Sequence, residues 1–277
     1  MAENTQLSFP PEVYKKINYR QYYKHFLSSS LRPDGRTFFQ FRSTSINTGS
    51  FTNTNGSSIA RMGDTIFVCG IQAEIAKPSI KHPTEGWIVP HIILSPICSE
   101  KYRSGHNHDA QAISQKIMSL IQVSNMLPLS SLLISENKAA WILYADLICL
   151  NYDGNAMDVA WIALMSALET TKLPTAKWDE DMERVICEKK YKSLELNQRL
   201  FSMSFGVFDG KYILSDLCDD EENLIPETIN IVIGNNKQLF NINKTGGTSM
   251  THEMILSCIE LAKKRYDELY DLVNKSK

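Results

Sequence analysis

Residues 31–36 read "LRPDGR": two arginines bracket a Pro-Asp-Gly turn, just after a helical segment and just before a long β-rich stretch. Pro33 fixes φ, Asp34 can bond its own backbone two residues on, and Gly35 tolerates positive φ. The turn therefore holds Arg32 and Arg36 in a defined relation. Two guanidiniums held this way suit a carboxylate or a phosphate. On local chemistry alone, a surface turn with solvated charges is the simpler reading.

Upstream, "EVYKKINYRQYYKHFL" (12–27) predicts one helix, with Val13, Ile17, Tyr23, Phe26 and Leu27 apolar and Lys15, Lys16, Arg20 and Lys24 outward. The polar residues before it, ending in Pro10-Pro11, read as a loose tail. Downstream, two alternating stretches flank "TNTNG" (52–56) and predict a hairpin. "TIFVCGIQAEIA" (65–76) and "GWIVPHIILSP" (86–96) follow as largely buried strands. Apolar spacing at Ala110, Ile113, Ile117, Leu120 and Ile121 predicts a helix that ends before Pro128. "AAWILYADLICLNYDG" (139–154) is a further long strand, and "AMDVAWIALMSALETTKLP" (156–174) returns to helical spacing. Residues 176–199 are charged and carry no clear period.

Two more hairpins follow, around Asp209-Gly210 and around Asn235-Asn236. The last helix carries Ile255, Ile259, Ala262, Tyr266, Leu269 and Val273 as one apolar stripe. Such a stripe fits a sheet of its own domain, or a coiled-coil partner. Strands leading into a helix occur twice, which suggests two α+β units with extra strand and helix material between them.

The chain has 277 residues and a net charge of −2, so a free-standing nucleic-acid binder with a broadly basic face is disfavoured, although a basic patch is not. Hydrophobic residues at 43% and charged residues at 22% place it among globular chains. The six cysteines form no C-x-x-C pair and mostly sit in apolar runs, so buried reduced thiols and a reducing compartment are expected. The N-terminal segment shows no signal-peptide pattern, and no apolar run is long enough to span a membrane.

Several stretches carry candidate chemistry. "SDLCDDEEN" (215–223) places Asp216 after a strand and Glu222 six residues on, and clustered carboxylates can hold Mg²⁺. Five acids in seven residues also make a plain solvated loop, the preferred reading from sequence. Asp153 and Asp158 flank the start of a helix, where helix capping is the expected role. His106, His108 and Asp109 lack the spaced second pair of a metal site. "SEKYRSGH" (99–106) interleaves Lys101, Tyr102 and Arg103 in a loop, as single-stranded RNA contacts often do, and an unpartnered surface loop fits equally well.

Read together, "RPDGR" (32–36), "NTNGSSIARMGDTIFVCGIQAEIAKP" (53–78), "ADLICLNYDGNAMDVAWIALMSAL" (145–168) and "SFGVFDGKYILSD" (204–216) resemble the RNase PH family over nearly the whole chain from about Tyr14. The resemblance implies an α+β fold of two β-β-α-type halves packed together. It divides the chain into a tail and helix over 1–30, a first subdomain over 31–195 and a second over 196–277.

Active members of that family phosphorolyse RNA from its 3′ end and hold phosphate with a Gly-Gly-Thr-Arg-type turn at a helix start. Here the turn reads Gly154-Asn155-Ala156-Met157-Asp158, without the arginine and with an acid in its place. Asp216 matches the first of the family's two aspartates, and the second position falls on Glu222.

The resemblance therefore implies a catalytically silent ring subunit of the eukaryotic RNA exosome, with no cofactor or metal. Such a subunit would help form a channel wall for 3′-to-5′ processing and decay, rRNA maturation included. Its partners would be other RNase PH-like ring subunits, cap subunits with RNA-binding domains, and RNA in the assembled channel. Nuclear, nucleolar and cytoplasmic pools are expected. Lys101, Tyr102 and Arg103 would meet RNA, while Arg32 and Arg36 would brace the entry motif Arg32-Pro33-Asp34-Gly35-Arg36 through carboxylates. The alternative is an active phosphate-dependent exoribonuclease using Asp216 and Glu222 with Mg²⁺.

Overall fold

Two antiparallel-rich sheets sandwich one buried helix in the computed structural model, which describes residues 13, 17–103, 108–247 and 249–276. The first sheet is built from β1 (Thr44–Thr48), β2 (Gly56–Met62), β3 (Thr65–Ala76), β4 (Trp87–Leu94), β5 (Leu133–Ser135) and β6 (Ala139–Asn151). Its order is β1-β2-β3-β6-β4, with β5 on β6. Strict alternation along β3 turns Phe67, Cys69 and Ile71 inward and fixes its register against β6. Among the described residues, only β4 and β6 run parallel. They are linked through helix α2 (His108–Ser124), which packs on β4, because parallel strands require a crossover.

The second sheet contains β9 (Phe201–Phe208), β10 (Tyr212–Ser215), β11 (Thr228–Ile233) and β12 (Leu239–Thr245), in the order β10-β9-β11-β12. Helix α3 (Ala156–Thr170) packs on β2 and β3 of one sheet and on β9 of the other. It is buried nearly all round from Ala156 to Leu168, as expected of a helix that is apolar on every face. Trp161 fills the middle of this seam and donates its Nε1–H to the Leu200 carbonyl at 2.7 Å. At its far end the backbone of β2 comes so close that a Cβ on Gly56 would meet the Thr171 Oγ1 at 2.2 Å. The close approach, rather than a turn, requires this glycine.

The stripe on the last helix, α4 (His252–Lys275), lies across β11 and β9 and touches β1, so it serves a sheet of its own chain. The α+β expectation therefore holds. Three details depart from it. The predicted first helix is interrupted at Asn18: Val13 and Ile17 are helical, Asn18 is not, and a separate helix, α1 (Tyr19–Ser28), starts there, with Asn18 accepting the Gln21 N–H at 3.2 Å. Val13 and Ile17 are exposed, while Lys15 and Lys16 lie outside the described residues. The unassigned stretch forms a two-stranded ribbon of β7 (Lys172–Asp179) and β8 (Arg184–Ser193) that pairs with neither sheet. Among the cysteines, Cys187 is exposed and Cys218 half-buried, and the other four are buried. Among the described residues, no helix is long and apolar enough to cross a membrane.

Candidate functional site

The "RPDGR" corner closes on itself. Arg32 N–H donates to the Arg36 carbonyl at 3.0 Å, Gly35 takes φ +83°, and Asp34 Oδ1 accepts the Arg36 N–H at 3.0 Å. The two side chains do not reach solvent. Arg32 is buried, with its Nε on Glu221 Oε1 at 2.8 Å and its Nη2 on Glu221 Oε2, a bidentate pair. Its Nη1 donates to the Ser215 carbonyl at 2.7 Å. Arg36 donates through Nε to Asp34 Oδ2 at 2.6 Å and through Nη1 to Asp216 Oδ2 at 3.2 Å. The reading of a solvated surface turn is thus overturned, and bracing through carboxylates is what the side chains do.

The acidic stretch is corrected as well. Asp216 and Glu221 are buried, and Asp219–Glu222 form one helical turn. Tyr23 Oη–H and Cys218 N–H donate to Glu221, the latter at 3.0 Å. Burial of this kind is tolerated only where charges are paired and lone pairs filled. The residue that completes the pairing, Arg42, went unremarked in the sequence. Its Nε and Nη2 both meet Asp216 at 2.8 Å, and its backbone N–H adds a third bond at 2.9 Å. Its Nη1 also reaches Asp153 Oδ2 at 2.9 Å. No local pattern marks Arg42, because its partner Asp216 is 174 positions away.

Burial by itself pushes the Asp216 carboxyl up, but the hydrogen bonds and charge of Arg42, with the Asn155 amide, outweigh it and hold Asp216 below the usual carboxylate range. Asp216 also sits at φ +52°, a strained conformation for a residue other than glycine, held by this net of donors. Among the described residues, Asp34, Cys218 and Glu221 bring three donor atoms within 4.8 Å of one another. Arg36 and Arg32 already neutralise the two carboxylates, so the group is an ion-pair cluster that opposes a further cation.

The start of α3 faces a cleft of about 350 Å³, whose lining includes Lys101, Tyr152, Met157, Glu222, Asn230 and Thr245. Gly154 and Asn155 take positive φ and turn the chain from β6 into the helix. At this helix start the Asn155 N–H is occupied by Glu222 Oε1 at 2.7 Å, and Tyr152 Oη–H donates to Glu222 Oε2 at 2.5 Å. Burial pushes the Glu222 carboxyl up.

Asp158 does not cap the helix, contrary to expectation. It is buried and turned across to the second sheet, accepting from Ser202 Oγ at 2.7 Å, Ser204 N–H at 2.6 Å and Ser204 Oγ at 2.9 Å. Its carboxyl is pushed up to about 6 by burial, against the pull of those donors. Asp153 likewise serves Arg42 and the Asp219 N–H rather than its own helix.

The proposed RNA residues divide. Tyr102 is 6% exposed and meets Tyr152 edge-on at 5.5 Å, so its ring is not free to stack a base. This corrects the reading of all three as loop contacts. Lys101 lies 5.5 Å over the Tyr152 ring and pairs with Asp219 at 2.5 Å. Arg103 has a side chain 75% exposed and pairs with Glu100 across three residues. His108 and Asp109 open α2, and His106 lies outside the described residues.

Comparisons with known proteins match this geometry. Models of the RNase PH, or 3′ exoribonuclease, family match residues 40–174 for its domain 1 and 200–265 for its domain 2. Exosome complex component rrp43 of Schizosaccharomyces pombe is 48% identical over 94% of this chain and 97% of its own. Exosome complex component Rrp42 of Methanothermobacter thermautotrophicus is 29% identical over 90% of this chain and 92% of its own. Among solved structures, a chain of the Archaeoglobus fulgidus exosome with RNA bound to the active site shares the fold. Its TM-score is 0.82 at 23% identity, covering 94% of this chain and 98% of that one.

Two stability measurements test the cluster. Asp216→Ala leaves Arg42 and Arg36 buried without their shared partner and is expected to cost about 3–5 kcal/mol in urea unfolding; a cost below 1 kcal/mol would contradict the clamp. Asp158 titrates with the opposite sign. Its folded pKa lies above its unfolded one, so the native state binds the extra proton. Its contribution is full below about pH 4 and declines as pH rises through about 6. Asp158→Asn is expected to flatten the stability-against-pH curve in that window, where an unchanged slope would count against the assignment.

Proposed function

The chain belongs to the RNase PH family of 3′ exoribonuclease folds, and we propose that it is a catalytically silent ring subunit of the exosome core. Its work is structural: to complete a ring of RNase PH-like subunits and to form part of the wall past which RNA is led for 3′-to-5′ processing and decay, rRNA maturation included. The near full-length match to an exosome component at 48% identity supports the assembly. The chain divides, on this reading, into a tail and helix over 1–30, a first subdomain over 31–195 and a second over 196–277. Cap subunits with RNA-binding domains are the expected neighbours on one face, and nuclear, nucleolar and cytoplasmic pools follow from the same reading.

One observation carries the silent site. Where active members hold phosphate, the N–H of Asn155, the residue just before the helix, is already filled by the chain's own Glu222 carboxylate. A helix start favours an anion, and here an internal one sits there. Of Met157 and Asp158, where active members carry an arginine, Asp158 is turned away into the second sheet and Met157 lines the cleft. The alternative of Asp216 and Glu222 holding Mg²⁺ meets a further obstacle. Both Asp216 oxygens are taken by Arg42, Arg36 and Asn155, which leaves no free lone pairs directed at the cleft. For RNA, Lys101 at the cleft and the exposed Arg103 two residues on remain as electrostatic contacts, without a stacking role for Tyr102.

The chain supplied with 3′-tailed RNA, inorganic phosphate and Mg²⁺ is expected to release no nucleoside diphosphate, and Glu222→Gln is expected to leave the phosphorolysis of the whole assembly unchanged. Diphosphate release by the chain that is lost in Glu222→Gln would establish the enzyme reading instead. For the RNA edge, Arg103→Glu is expected to weaken binding of a long single strand to the assembled ring more at low salt than at high. Removing one phosphate contact should lower the salt slope by about 0.7. Equal affinities at both salts would take Arg103 off the RNA path.

A further inference from the structure

The β7–β8 ribbon pairs only with itself. A two-stranded hairpin is marginal in water and needs something to pack on. Here it is tethered at one end by Leu173, which is buried, and along β7 by Trp178, whose ring lies 5.6 Å from Lys138 Nζ. Ala176 also packs against the core, while β8 is mostly exposed.

Its charges are largely segregated. The turn end carries Asp179, Glu180, Asp181 and Glu183, with Arg184 opposite Asp179, and the base carries Lys172, Lys189, Lys190 and Lys192. Between the last two lysines stands Tyr191, 68% exposed and opposite Pro174 in the ladder. An exposed tyrosine among lysines combines what a single-stranded nucleic acid requires, positive charge along its backbone and a flat face for a base. This is the chemistry looked for at Lys101-Tyr102-Arg103, with the difference that this aromatic ring is free. Lys192 pairs with Glu195 at 3.0 Å, but both partners are about three-quarters exposed, and such a pair yields readily to a phosphate. Lys177, by contrast, is held by Glu188 at 2.8 Å.

We propose that the base of the β7–β8 ribbon is a contact site for single-stranded RNA, with Tyr191 stacking a base and Lys189, Lys190 and Lys192 neutralising phosphates. From Lys189 to Lys192 the strand advances about 10 Å, enough for a short run of backbone. The inference rests on the exosome-ring reading, which brings a single strand to the assembly. RNA is favoured over a protein partner because the base carries no acid other than Glu188 and Glu195, and because its most exposed ring is flanked by like charges that an uncharged protein surface would not balance.

The test is the affinity of the assembled ring for a fluorescein-labelled oligouridylate at two salt concentrations, with ring assembly followed by size-exclusion chromatography. Tyr191→Ala is expected to weaken binding at least about 5-fold, the equivalent of the lower limit for one stacked base, with little change in salt slope. Tyr191→Phe, which keeps the ring, is expected to bind as the unaltered assembly does. Lys189→Glu with Lys190→Glu is expected to weaken binding and lower the salt slope by about 1.4, two phosphates' worth. Unchanged affinity in an intact ring would overturn the site while leaving the ring reading standing. Loss of assembly in these variants would overturn it in another way, by making the ribbon a protein interface. Failure of the unaltered chain to assemble would instead count against the ring reading itself.

Discussion

The carboxylate of Asp216 is the point on which the rest of the molecule hangs. It follows β10 and accepts from Arg42 at the entry to β1, from Arg36 in the charged corner, and from Asn155 at the start of α3. Three residues from distant parts of the chain thus donate to its two oxygens. Removing such a charge from water costs several kcal/mol, and the cost is offset only because every lone pair meets a donor. The rigidity of the Pro33-Asp34-Gly35 turn has its reason here. It spaces Arg32 and Arg36 so that both guanidiniums donate to the one Asp216 carbonyl, at 3.0 and 3.1 Å. A flexible linker in its place would have to lose that conformational freedom on folding.

Around this clamp, α3 joins the two sheets. It is apolar on every face, so it can be buried only between two layers, and β2, β3 and β9 supply them. Its one buried acid, Asp158, is drawn across the seam to Ser202 and Ser204. The same helix start that would suit an anion is closed by Glu222, so the cleft keeps the shape of a binding site while its anion position is filled from within. The buried acids Asp216 and Asp158 are thus also the groups that tie the two halves together.

The positive charge follows a different rule. Arg32, Arg36 and Arg42 are consumed inside the fold, whereas Lys189 and Lys190 remain on the ribbon surface. Arginine suits the interior because its planar fork meets carboxylates with two bonds at once, and lysine suits the surface because its ammonium is strongly hydrated. A near-neutral chain can therefore present a local basic patch without a basic total.

Much of the fold was legible in the residues themselves. The strands β3 and β6, the hairpin turns at "TNTNG" (52–56) and Asp209-Gly210, and the stripe on α4 are local signals, set by side-chain period and backbone preference. The lack of an arginine between Gly154 and Asp158 was also plain. What the tertiary structure alone decided is which charges are buried and with whom. "SDLCDDEEN" has the composition of a solvated loop, and only the arrival of Arg32 and Arg42 from far along the chain makes its burial tolerable. Tyr102 and Tyr191 are both flanked by basic residues, yet one ring is packed against Tyr152 and the other stands in water. Neighbouring residues determine propensity, but burial is determined by whatever the fold places opposite, and that information is non-local.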